Sequence, residues 1–356
     1  TEDGSTVPAA YLTADEQEVT VEYNETAEVA FENIEKTGEI KVTKTTVGNI
    51  NVSGITFNLR GTSDSGRDID IPAVTDENGV AIFSEIPIGT YTIYEDEKTV
   101  PTAYLVADPQ NVTVTYAETK EVPIENKEKT GSITVHKTTE GQKNIEGIKF
   151  YLRGTSDSGR AIDIPATTDK DGIAKFDGVP IGTYMVIEDE ETVPYGYLVA
   201  DEKEVKVEYA QTIDETILNN EQTGTVKVHK KTADMTNVEG IRFILSGISD
   251  TGREIRIEAT TDKDGLAKFE GVPVGTYTIT EDGSTVPYGY LVADSKQVTV
   301  AYAQTVDTDM VNEKAPDTPN TGVTDNDSDG SKALCSVAII LAGAAIVMFS
   351  RKRKER

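Results

Sequence analysis

Thr130-Gly131-Ser132-Ile133-Thr134-Val135-His136-Lys137 recurs as TGEIKVTK from Thr37 and as TGTVKVHK from Thr223, a spacing of 93 residues each time. Apolar and polar residues alternate along it, which is the period of a β-strand with one face buried. Ile133, Val135 and Lys137 share one parity, so the strand aims a lysine at the core. A buried ammonium without a partner is costly enough that the group must lose its proton or be paired. That partner is to be sought elsewhere in the repeat.

A period this long fits whole domains in tandem better than the turns of a solenoid. Complete units are expected at 38–130, 131–223 and 224–314. Residues 1–37 begin TEDGSTVPAAYLTADEQEVTVEY and match TEDGSTVPYGYLVADSKQVTVAY at 280–302. They are expected to be the C-terminal remnant of a preceding repeat, with its first strands and any export signal missing.

With 356 residues, 27% charged and 37% hydrophobic, the chain is long and apolar enough for several compact units. A net charge of -28 disfavours nucleic acid and anionic lipid as partners, since both call for basic surface. The single cysteine, Cys335, allows neither an intramolecular disulfide nor a cysteine-ligated metal site. Any covalent staple must use other chemistry, and no cofactor is implied.

Inside each unit, short runs rich in Val, Ile, Thr and Tyr are interrupted by turn signals about every 8–12 residues, the pattern of an antiparallel sandwich. No segment has helical periodicity. Asp76-Glu77-Asn78-Gly79, Asp169-Lys170-Asp171-Gly172 and Asp262-Lys263-Asp264-Gly265 each separate two such runs and are expected to close β-hairpins. They lack the ligand pattern of an EF-hand calcium loop. The GTSDSGR segments from Gly61 and Gly154, and GISDTGR from Gly247, are expected to be loops.

Two more polar residues fall where the alternation wants apolar ones. Tyr91 and Ile93 carry Glu95 inward, as Tyr184 and Val186 carry Glu188 and Tyr277 and Ile279 carry Glu281. Near each unit's end, Val122 and Ile124 lead by twos to Asn126, with counterparts Asn219 and Asn312. The inward sets are therefore Lys44, Glu95, Asn126; Lys137, Glu188, Asn219; and Lys230, Glu281, Asn312. Glu2 and Asn33 are the remains of a fourth.

With these residues in place, the chain resembles the collagen-binding-protein B-type, or SpaA-like, prealbumin-fold domains of Gram-positive surface proteins and pilins. The resemblance rests on the inward Lys of TGSITVHK, on GTYTIYE at Gly89 and GTYTITE at Gly275, on PYGYLVAD at Pro194 and Pro287, and on the closing Asn. It covers nearly everything before Ala315. It implies an all-β, prealbumin-like (Ig-like) sandwich in each repeat. It also implies that the lysine amine attacks the asparagine side-chain amide to form an isopeptide bond, with the glutamate catalysing the step. The second unit has Met185-Val186 inside its box, and the first has Pro101-Thr102-Ala103-Tyr104 where the others have Pro-Tyr-Gly-Tyr. Neither change touches the three side chains.

The chemistry follows from the residues as well. Desolvation lowers the pKa of a lysine and raises that of a glutamate, giving a neutral amine beside an acid that can hydrogen-bond the asparagine carbonyl. Held close in a dry site, the groups need no external catalyst. A buried Lys–Glu ion pair with a hydrogen-bonded asparagine would account for the same inward polarity. Recurrence of the triplet in register favours the bond.

Beyond the last unit, residues 315–332 read as a polar linker holding Thr318-Pro319-Asn320-Thr321-Gly322 and an acidic spacer. Ala333–Phe349 is a run of seventeen uncharged residues, and 350–356 ends RKRKER. A transmembrane helix over 333–349 with a basic cytoplasmic tail is expected. The order of motif, spacer, apolar run and basic end resembles a sortase cell-wall sorting signal of the LPXTG type, with Thr318 in place of leucine. It implies sortase and peptidoglycan as partners, with the membrane contacted only before sorting.

The expected protein is thus a non-enzymatic, cell-wall-anchored stalk on a Gram-positive surface. A host matrix or glycan ligand would be met by a missing N-terminal region or by the repeats themselves. The alternative is a pilin subunit, although no YPK-like shaft lysine motif is seen. An enzyme has little support, because His136 and His229 have outward parity and no nucleophile, base and acid are grouped.

Overall fold

The structure, a computed structural model, describes residues 1–316 apart from 142, 144 and 237. The first complete repeat contains β1 (Thr37–Thr46), β2 (Thr56–Thr62), β3 (Asp68–Val74), β4 (Val80–Pro87), β5 (Gly89–Glu95), β6 (Gln110–Val114) and β7 (Thr119–Asn126). The second contains β8 (Thr130–Thr139), β9 (Lys149–Ser156), β10 (Ala161–Thr167), β11 (Ile173–Pro180), β12 (Gly182–Glu188), β13 (Lys203–Val207) and β14 (Thr212–Asn219). The third contains β15 (Thr223–Thr232), β16 (Arg242–Ser249), β17 (Glu254–Thr260), β18 (Leu266–Pro273), β19 (Gly275–Glu281), β20 (Lys296–Val300) and β21 (Thr305–Asn312).

Each repeat is built from a four-stranded and a three-stranded sheet, ordered β3-β2-β5-β6 and β4-β1-β7 in the first, with the same order in the other two. The inward residues of both sheets interleave: Ile40 and Val42 from β1 and Phe57 and Leu59 from β2 are fully buried, and Tyr91 and Ile93 from β5 are nearly so. Each such side chain contributes roughly 2 kcal/mol of transfer free energy. The invariant tyrosine of the GTY box is buried with its hydroxyl donating to a proline carbonyl, Tyr91 to Pro87 at 2.7 Å and Tyr184 to Pro180 at 2.8 Å. Burial pushes both phenols up to about 12.

Alternation gave the strand faces correctly. In β8, Ile133 and Val135 are fully buried and Lys137 is 2% exposed, whereas the intervening His136 points outward beside Asp214. The acidic turns do not close hairpins, contrary to the pattern expected from their sequence. The Asp76–Gly79 turn joins β3 to β4, yet β3 pairs with β2 and β4 pairs with β1, so it carries the chain from one sheet to the other. Asp76 still makes the turn, its carboxylate accepting the N–H groups of Asn78 and Val80 at 2.9 and 2.8 Å. Turn chemistry fixes a reversal of the backbone; which strand then pairs with which is decided by the core.

The first and last strands of each repeat lie side by side and parallel. Lys44 stands opposite Ile124 and Thr46 opposite Asn126, with the same register at Lys137 and Ile217 and at Lys230 and Met310. Residues 1–36 contain no strand beyond an isolated bridge, Tyr11 to Glu35, whose counterparts are Tyr104 to Glu128 and Tyr197 to Glu221. No helix among the described residues is long and apolar enough to cross a membrane. The sorting motif, the apolar run at 333–349 and the basic end lie outside the described residues.

Candidate functional site

Parallel pairing of the first and last strands puts the lysine and the asparagine on one face of one sheet, two positions apart in register. Adjacent strands are about 4.8 Å apart, so a lysine stem easily spans the gap. The glutamate reaches the same place from the facing sheet, at the end of β5, β12 or β19. The lysine, glutamate and asparagine picked out by parity meet in the second and third repeats, and in the first Glu95 meets Asn126 while Lys44 is buried on the same sheet face.

In the second repeat Lys137, Glu188 and Asn219 are 2%, 6% and 0% exposed. Lys137 Nζ lies 3.7 Å from Glu188 Oε1 and donates to the carbonyls of Thr138 and Ile217 at 2.5 and 3.1 Å. Asn219 Nδ2 donates to Glu188 Oε2 at 2.6 Å and to the Leu198 carbonyl at 2.5 Å. The third repeat repeats this, with Lys230 Nζ 3.3 Å from Glu281 Oε1 and Asn312 Nδ2 2.6 Å from Glu281 Oε2. One carboxyl group thus faces the amine with one oxygen and the amide nitrogen with the other. It is the amide nitrogen, not the carbonyl, that meets the acid.

The first repeat is more open. Asn126 Nδ2 still donates to Glu95 Oε2 at 2.6 Å, and Lys44 is 2% exposed, but Glu95 is only partly buried. Lys44 Nζ donates to the Thr45 carbonyl at 2.6 Å and, among the described residues, has no carboxylate within ion-pair distance. Glu2 and Asn33 keep half of the arrangement, Asn33 Nδ2 donating to Glu2 Oε2 at 2.6 Å.

Burial pushes the Lys137 ammonium down to about 8, with Glu188 opposing the shift. Lys44 and Lys230 are lowered for the same reason and against the same kind of opposition, from Glu95 and Glu281. Glu188 Oε1, Glu281 Oε1 and the Oδ1 atoms of Asn219 and Asn312 are buried without an aligned hydrogen bond. These are the atoms that would change partners during a reaction at the amide carbon.

Two supports carry no signal in the strand alternation. The LVAD loop supplies backbone groups: Leu198 accepts from the asparagine, and the Ala200 N–H donates to Glu188 Oε2 at 2.8 Å. Leu105 with Ala107, and Leu291 with Ala293, do the same in the other repeats. The glycine of the acidic turn accepts the N–H of the buried lysine, Gly172 from Lys137 at 2.7 Å. Gly172 has φ +75°, and a Cβ there would stand 2.7 Å from the Lys137 carbonyl oxygen, so only glycine fits. Recurrence of LVAD and of the turn glycine at fixed offsets from the triplet was the available clue.

The family described as SpaA, prealbumin-like fold domain, matches residues 38–128, 131–222 and 224–314. The chain belongs to this family. Among curated proteins none matches. Of solved structures, the Bacillus anthracis TIE protein is similar at 20% identity and a TM-score of 0.58, over 79% of this chain and 51% of its own. This chain thus spans about half the length of that protein. BcpA, the major pilin subunit of Bacillus cereus, is 18% identical over 79% of this chain and 100% of its own, with a TM-score of 0.39. The shaft pilin SpaA from Lactobacillus rhamnosus GG is 16% identical over 53% and 100%, with a TM-score of 0.25.

Proposed function

We propose that each complete repeat closes an isopeptide bond between its buried lysine and asparagine, and that the repeats form the structural stalk of a Gram-positive surface protein. One observation carries this: an amine, a carboxyl and a carboxamide from three different strands converge in a dry core in the second and third repeats, and the first keeps the Glu95–Asn126 pair with a buried Lys44. A polar cluster of this kind is costly to bury, and a bond that neutralises it relieves the cost.

The geometry supports a short reaction. Proton transfer from Lys137 to Glu188 Oε1 leaves a neutral amine, favoured by the same desolvation that lowers the ammonium pKa. Nζ then attacks Cγ of Asn219. The carboxyl gives a proton to Nδ2 through Oε2, at 2.6 Å, and the C–N bond breaks. The amine nitrogen gives up its second proton to the carboxylate, so one amide, one ammonia and a protonated Glu188 result. Proximity and a single proton carrier supply the catalysis.

A bond between the first and last strands suits a protein that bears tension. Force applied at β8 and withdrawn at β14 would cross from Lys137 to Asn219 without passing through the strands between them. Surface attachment rests on Thr318, Pro319, Asn320, Thr321 and Gly322 with the apolar and basic segments that follow. Sortase would join Thr321 to peptidoglycan, and a region upstream would meet a host matrix or glycan ligand.

Intact mass of the purified chain tests the chemistry. Each bond should remove one ammonia, and digestion should yield a branched peptide joining Lys137 to Asn219. A mass equal to the sequence, with the two peptides recovered separately, would leave a buried ion pair in place of the bond.

A further inference from the structure

The SDSGR and SDTGR loops face away from the bond-forming sites, and each finds its partner in the preceding repeat. Ser158 Oγ donates to Glu128 Oε1, and Arg160 Nη2 donates to Glu128 Oε2 at 2.8 Å. Glu128 stands two residues beyond Asn126, in the tail of the first repeat. The next joint repeats the scheme, Thr251 and Arg253 both donating to Glu221. At the joint before β1, Ser65 donates to Glu35 and Arg67 lies 3.2 Å from it. The Glu221 side chain is 0% exposed, so this is a closed seat rather than a surface ion pair.

The connecting residue leaves no slack. Gln222 donates its N–H to the Gly196 carbonyl of its own repeat at 2.7 Å, and its carbonyl accepts the N–H of Val274 from the next at 2.9 Å. Lys129 is held identically between Ala103 and Ile181, at 2.8 and 2.9 Å.

The seats are also matched in size. Gly196 has φ +92°, and a Cβ added there would also lie 2.8 Å from Thr251 Cγ2, so both the backbone and the facing threonine favour glycine. The equivalent of Gly196 is Ala103 in the first repeat and Ala10 before it, and the loops that follow these carry Ser158 and Ser65. Serine has no Cγ2, and alanine fits.

We propose that this loop is a docking surface for the tail glutamate of a preceding repeat of the same chain, and that it fixes the angle between neighbours. At the equivalent position the third repeat carries Lys314, whose ammonium lies 3.5 Å from Asp234 of its own repeat. Its tail has the wrong charge for the seat, so it does not accept a further repeat of this type.

Spin labels on cysteines at the exposed turn positions Lys170 and Lys263, with Cys335→Ser to remove the native thiol, test the second joint in the full chain. Pulsed dipolar measurement should give one narrow distance distribution, which Glu221→Lys should widen at least twofold. Glu128→Lys, at the other joint, should leave that width unchanged. Thermal unfolding on the same samples reports whether the repeats stay folded. If Glu221→Lys unfolds the third repeat, Arg253→Gln, at a side chain 37% exposed, should give the same widening. A parent distribution as broad as the variant's, or a folded variant as narrow as the parent, overturns the proposal. Ammonia loss is read separately by intact mass, so failure of the joint and failure of the isopeptide reaction are distinguishable.

Discussion

Replacing Glu188 by Gln removes the proton carrier from the middle repeat while nearly preserving volume. The bond it would prevent closes a loop of about 80 residues, worth about 4.5 kcal/mol on the chain-entropy treatment of cross-links. For a domain of this size, that loss corresponds to a fall in melting temperature of roughly 20–35 °C. The mechanical change is larger. With the proposed bond in place the chain between Lys137 and Asn219 could not be drawn out in the parent, whereas in the variant about 80 residues at up to ~3.6 Å each would become available, about 290 Å. Single-molecule pulling on the full chain should show one new extension of that length, with the first and third repeats still closed. Asn219→Ala removes the electrophile instead of the catalyst and should give the same extension, which separates the bond from the side chain's packing. A parent that already yields three such extensions, or a Glu188→Gln chain with the parent's mass and no new extension, would refute the reasoning.

In the Asn219→Ala chain Lys137 keeps a free amine held down to about 8 by burial, against about 10.4 when unfolded. Between those values the unfolded state binds more protons, so stability of the middle repeat should rise with pH, by at most about 1.4 kcal/mol per unit, and the slope should vanish when Lys137→Met is added. Melting from pH 7 to 10.5 checks both. Gly172→Ala forces a Cβ against the Lys137 carbonyl and should give a mixed population lacking one ammonia loss, seen by intact mass. Sorting should cut between Thr321 and Gly322, and muramidase digestion should release protein that ends at Thr321; recovery of the whole C-terminus from membranes would contradict it.

The triplets were legible because a strand's two-residue period makes an inward polar residue stand out: Lys137 after Val135, Glu188 after Val186 and Asn219 after Ile217 each break a run of core positions. What the period could not show was strand pairing. The Asp169–Gly172 turn has the chemistry of a hairpin and serves as a crossover, because β10 and β11 bury their apolar faces from opposite sheets. Nor could it show the LVAD contribution, which is made by a backbone carbonyl and a backbone N–H that any residue could offer. The difference between the first site and the others rests on how far Glu95 is covered, a matter of packing around it. Arg160 and Glu128 read as ordinary surface charges until two repeats are set end to end.

Parallel adjacency of β1 and β7 has a consequence for synthesis. The strand that carries the lysine is made first and the strand that carries the asparagine last, so no partial repeat holds a complete reacting set. A nascent chain emerging from a ribosome, or threading a translocation channel, is an ordinary unbranched polymer until nearly the whole repeat has cleared the exit. Folding against a contact about 80 residues away is slow compared with hairpin closure. With the proposed bond, each repeat would become topologically closed in turn, from the N-terminal side, by a step that releases ammonia and is not undone by unfolding. A chain sealed in this way could be threaded only once, in the direction in which it is made.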